Sequence, residues 1–165
     1  LVVVNLPLQA GDRAPGTTLT GSVPRIVPGT AELEAAAARS PQDVPTLLAL
    51  AESYRDEGRA GDAATTYQRV LGLDRENVAA LNGLALLLYQ AGEREAALLA
   101  VDRVLALRPR DADALFLKGL AAYQSGDWRG AVTAWRIYLE SGEFHPAAQM
   151  VRPLYTEALR RSEGR

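Results

Sequence analysis

Along the middle of this chain, apolar residues recur at i, i+3, i+4 and i+7 in paired stretches, each pair parted by a short polar segment centred on glycine. Leu81, Leu84, Ala85 and Leu88 form one stretch and Ala97, Val101, Val104 and Leu105 the next. That spacing gathers side chains on one face of an α-helix. The whole pattern repeats without a gap at a period of 34 residues, as units Val44–Asn77, Val78–Asp111 and Ala112–His145. Four positions are identical in all three units: Leu47, Leu81 and Leu115; Gly58, Gly92 and Gly126; Ala63, Ala97 and Ala131; Leu71, Leu105 and Leu139. A period of this size marks stacked units, none of which buries its apolar face alone. The pattern predicts an all-α fold, an α-solenoid of three helix-turn-helix units.

Within a unit, the recurring glycine follows the last residues of the first helix, where a left-handed C-terminal cap costs glycine little. Ala51, Ala85 and Gly119 on the first helices, with Ala63, Ala97 and Ala131 on the second, allow close approach, and Tyr67, Val101 and Trp135 fill the space between. Leu47, Leu50, Ala51, Tyr54, Gly58, Ala63, Tyr67 and Leu71 resemble the tetratricopeptide repeat pattern, to which the second unit adds Pro109 after its second helix. The chain is identified on these residues as a bacterial-type member of that family. Gly126, Asp127, Ala131, Ala134 and Trp135 are also similar to helix pairs in the repeat domains of bacterial cytochrome c maturation factors. Lys118 stands where the other units have Leu50 and Leu84, and its stem is expected to cover apolar surface while its charge reaches water.

Pro41 lies two periods before Pro109, with Leu33, Ala36 and Ala37 in register ahead of it, so Thr30 to Ser40 reads as a leading half unit. Residues 147–161 carry Ala147, Met150, Val151, Leu154, Tyr155, Ala158 and Leu159 on one face and read as a capping helix, with Pro153 off that face as a possible kink. The repeat domain is thus expected over 30–165. Residues 1–29 differ: an apolar octet, Leu1 to Leu8, precedes a stretch broken by Gly11, Pro15, Gly16, Gly21, Pro24, Pro28 and Gly29. Such a stretch predicts an extended arm, either following a membrane or signal segment or standing as an ordinary extension. The octet favours a membrane-associated or exported protein over a cytoplasmic one, although no compartment is specified.

With 165 residues, 48% hydrophobic and 23% charged, the chain can bury a core drawn out as a ribbon. A net charge of -2 lacks the basic footprint of a nucleic-acid partner. The sequence holds no cysteine, which excludes disulfides, thiol catalysis and thiolate metal sites. Its single histidine, His145, sits in a Phe-His-Pro turn with only Glu143 nearby in sequence. Neither a metal site nor a nucleophile-histidine pair is supported. The expectation is a non-catalytic protein without cofactor, metal or small-molecule substrate.

In arrays of this kind, the first helices line a concave surface on which side chains not used in stacking are available to a partner. That stripe reads Leu48, Glu52 and Arg55, then Asn82, Leu86 and Tyr89, then Phe116, Leu120 and Tyr123, with Gln90 and Gln124 beside it. Apolar and aromatic groups with polar ends suit a peptide groove. The resemblance implies a further point: family members that hold acidic C-terminal tails clamp the carboxylate with Lys, Arg and Asn, and here only Arg55 and Asn82 could serve. The expected partner is therefore an apolar or aromatic-bearing peptide or helix of another protein, bound by a scaffold, adaptor or assembly factor. The alternative is a permanent structural subunit of a membrane-associated complex, with residues 1–29 threaded into its neighbours.

Overall fold

A computed structural model of the chain describes residues 28–141 and 147–164. The expected arm through residue 27 and the turn containing His145 lie outside these residues. The described chain folds into helices α1 (Thr30–Arg39), α2 (Val44–Asp56), α3 (Ala60–Leu73), α4 (Val78–Gln90), α5 (Arg94–Leu107), α6 (Ala112–Ser125), α7 (Trp128–Ser141) and α8 (Ala148–Ser162). The pairs α2/α3, α4/α5 and α6/α7 are the three repeated units, α1 is the leading half unit and α8 the cap. Among the described residues, no helix is long and apolar enough to cross a membrane.

Local signals set the helix ends. Asp43, Asn77 and Asp111, each one period apart, cap α2, α4 and α6 by accepting the backbone N–H of Thr46, Ala80 and Ala114, each at 3.1 Å. A side-chain acceptor at this position satisfies one of the donors a helix start leaves without a partner. At the other end, Gly58, Gly92 and Gly126 have φ of 75°, 85° and 79°. The reversal lets Arg59, Glu93 and Asp127 donate their N–H groups back to Tyr54, Leu88 and Ala122 carbonyls at 2.8–2.9 Å, closing the first helix of each unit. Arg69 and Arg103, also one period apart, donate to the carbonyls of Pro41 and Arg75 at 2.6 and 2.8 Å and tie each second helix to the preceding turn.

Each unit's core is completed by the element after it. Leu47, Ala51, Ala63, Tyr67 and Val70 of the first unit enclose Ala80 and Leu87 of α4. Val101 and Val104 of the second enclose Ala114 and Leu117 of α6, and Trp135 and Tyr138 of the third pack against Ala148, Val151 and Ala158 of α8. α8 thus takes the place of a further unit's first helix. It continues through Pro153, which is exposed, so the missing N–H interrupts one bond without breaking the helix.

Two glycines make this packing possible. A Cβ on Gly83 would come within 2.3 Å of the Tyr67 ring, and one on Gly119 within 2.2 Å of the Trp135 indole nitrogen. Trp135 is fully buried and donates its indole N–H to the Phe116 carbonyl at 3.2 Å. Burying a ring of this size contributes about 4–6 kcal/mol of transfer free energy, so leaving out one methyl group is the smaller loss.

Candidate partner-binding site

The inner face of the array contains a hollow of about 320 Å3. Glu52 and Arg55 of α2 form one side, and Ala79, Asn82, Gly83 and Leu86 of α4 the middle. Asp113, Phe116 and Leu117 of α6 form the far side, with Tyr67 beneath and Ala147 at the edge. The α4 residues share one helix face through their i, i+3, i+4, i+7 spacing. The hollow crosses the inner helices on a diagonal, from the C-terminal half of α2 to the N-terminal half of α6.

Of the expected stripe, Glu52, Arg55, Asn82, Leu86 and Phe116 line this hollow together. Leu48 packs against the first core cluster, and Tyr89 against the second. Leu120 and Tyr123 join the cluster shared with α8, as does Phe116, whose ring lies 6.1 Å from that of Tyr138 while also facing the hollow. Tyr123 lies 5.3 Å from Trp128, edge-on, and 5.5 Å from Trp135, which makes it a packing residue. Gln90 is exposed outside the hollow, and Gln124 accepts a bond from Arg94 at 3.1 Å. Ala79, Gly83, Asp113 and Leu117 line the hollow but lie off the register stripe. The hollow follows a diagonal, so it takes α6 residues one turn earlier than strict register does.

The polar groups are unequally engaged. Asn82 donates its amide to Asp111 at 2.9 Å, bracing the carboxylate that caps α6. Arg55 pairs with neighbouring Asp56 at 3.3 Å. Glu52 makes no ion pair or hydrogen bond with any described residue. Burial raises the Tyr67 hydroxyl above its ordinary pKa; Arg55 opposes the rise, while Glu52 and Asp56 add to it.

Beside this hollow, at the α1 end, lies a second of about 720 Å3. Glu52 lines both; Leu33, Ala49, Thr46, Ser53, Asp56 and Glu57 line the second. In the interior units the positions of Thr46, Ala49 and Ser53 hold Ala80, Gly83 and Leu87, or Ala114, Leu117 and Ala121, all buried against the preceding unit. The Lys118 charge reaches the solvent-exposed surface, where it also has a partner. Its ammonium donates to Asp102 at 2.8 Å, because the stem ends within reach of a carboxylate on α5. Among the described residues, no group of three or more His, Cys, Asp or Glu could hold a metal ion.

A sequence profile of the tetratricopeptide repeat matches residues 48–112 and again 86–146. The chain belongs to the tetratricopeptide repeat family. Such repeats are characteristically protein-interaction modules. Over 108 residues, 65% of its length, this repeat protein is 34% identical to the CTR9 homolog of Arabidopsis thaliana, of which it spans 10%. It superposes on a tetratricopeptide repeat protein from Parabacteroides merdae with a TM-score of 0.67 at 23% identity, covering 81% of this chain and 54% of that one. The MamA protein gives 0.64 at 26% identity, over 81% and 77% of the two chains. The first repeat domain of Spaghetti (RPAP3), solved with the HSP90 peptide SRMEEVD, gives 0.63 at 18% identity, over 72% and 94%.

Proposed function

We propose that this protein is a non-catalytic scaffold, adaptor or assembly factor that holds an apolar or aromatic-bearing segment of a partner protein in the hollow spanning α2, α4 and α6. The observation that carries this reading is the floor formed by the partly exposed Leu86 and Phe116, set within a concavity. Its volume of about 320 Å3 lies at the small end of the roughly 300–1,000 Å3 typical of ligand pockets, which suits anchor side chains. Support also comes from the RPAP3 repeat domain, whose structure contains a bound peptide.

The test is selection of peptides from a displayed random library on the wild-type chain, followed by calorimetry with Phe116→Ala and Leu86→Ala. Anchor residues at an interface centre contribute about 2 kcal/mol or more each, so each variant should weaken selected peptides by roughly thirtyfold while circular dichroism keeps its helical signal. Peptides that bind both folded variants as well as the wild type would place the site elsewhere.

A further inference from the structure

The polar rim of the hollow adds a second requirement to its apolar floor. Glu52 on α2 and Asp113 on α6 line opposite sides of the hollow, with Leu86 of α4 between them and Phe116 one turn along α6 from Asp113. Arg55 also reaches the hollow, but its guanidinium is paired with Asp56. Glu52 has no pairing with a described residue, and it is shared with the neighbouring hollow, where Asp56 and Glu57 continue the acidic edge past the hydroxyls of Thr46 and Ser53. Glu57 is itself held by Arg59 and by the Thr30 hydroxyl, which leaves Glu52 as the carboxylate best placed to meet a partner.

We propose that the segment bound here is cationic as well as apolar: a Leu- or Phe-type anchor on the Leu86–Phe116 floor, flanked by Lys or Arg facing Glu52 and Asp113. This rests on the hollow being the binding site. The long stem of a basic side chain covers apolar surface while its charge reaches the rim, so one residue type satisfies both features. An acidic segment such as the SRMEEVD peptide of the RPAP3 complex would bring like charges together at Glu52 and Asp113.

Fluorescence anisotropy with synthetic peptides tests this, using peptides that share one Leu/Phe anchor and differ only in Lys, Gln or Glu at the flanks. The wild type should bind Lys-flanked peptide roughly two- to fivefold more tightly than Gln-flanked for each exposed carboxylate met, and Glu-flanked most weakly. The margin should shrink with added salt. Glu52→Gln should narrow the preference and Glu52→Lys should reverse it. If Glu52→Lys keeps the wild-type order, or Glu-flanked peptide binds best, while Phe116→Ala still loses binding, the cationic partner is overturned and the hollow stands. If Phe116→Ala binds every peptide as the wild type does, or the wild type binds none, both readings fall.

Discussion

Gly119 and Trp135 show how one position is decided by another. The indole nitrogen lies where a Cβ at residue 119 would approach to 2.2 Å, so Gly119→Ala alone should destabilise by about 1–3 kcal/mol through overpacking. The equivalent pair in the second unit, Ala85 and Val101, is fully buried with the small and large roles less extreme. In a Trp135→Val background the same Gly119→Ala change should therefore be neutral or stabilising, a reversal of sign that urea melts of the double-mutant cycle would reveal. Tyr89 offers a simpler case. Its hydroxyl is buried and has no hydrogen-bond partner among the described residues. A buried polar group left without a partner costs about 1–3 kcal/mol, so Tyr89→Phe should raise the melting temperature, with a gain of about 1 kcal/mol. A lower melting temperature would show that the hydroxyl is bonded. The sequence places Tyr89 and Tyr123 on the expected stripe, because spacing along a helix does not tell the open flank of a face from the flank covered by the next element. Tyr123 is held between two tryptophans and Tyr89 against the second core cluster.

The elements were far more legible than the hollow. Apolar spacing, the glycine turns and the orphan register around Pro41 predict helices over Thr30 to Ser40 and 147–161, which the structure shows as α1, Thr30–Arg39, and α8, Ala148–Ser162. These signals are local, and each has one dominant physical cause. The caps Asp43, Asn77 and Asp111 carry the same period and could have been read with it. The hollow depends on how successive inner helices cross and on where α8 lies, so only Glu52, Arg55, Asn82, Leu86 and Phe116 of the stripe enter it. Within α8, hydrogen bonds from Arg160 and Arg161 hold the Glu157 carboxyl at about 2, below its ordinary 4.5. A carboxyl depressed in the folded state stabilises fully above its unfolded value and loses that contribution as the pH falls through the folded one. The contribution should therefore be present above about pH 4.5 and lost toward about pH 2. Both partners are solvent-accessible, so the effect is small. Arg161 also stacks 4.7 Å over the Trp128 ring, which makes tryptophan fluorescence a local probe. Urea midpoints should separate the wild type from Glu157→Gln at about pH 5 and converge near pH 2. A constant gap across that range would contradict the pairing.

At the scale of the whole molecule, the packing flanks and the proposed binding hollow lie side by side on the same inner helices. Outward from α1, every unit is closed by the apolar residues of the element that follows, and α8 closes the last with Ala148, Val151 and Ala158. Stacking of this kind consumes one flank of each inner helix and leaves a concave face with an apolar floor and an acidic rim. The outer face also carries apolar residues, among them Leu99 at 69% exposure. Scattered exposed side chains of this sort are ordinary on a protein surface, whereas Leu86 and Phe116 share one concavity. The most direct measurement compares these two faces. A photo-crosslinking amino acid placed at Leu86, and in a separate variant at Leu99, should be activated in the full-length protein within its host, with adducts mapped by mass spectrometry. A specific partner peptide should be joined at position 86 and absent at position 99. Adducts at 99 without any at 86 would contradict the concave binding site.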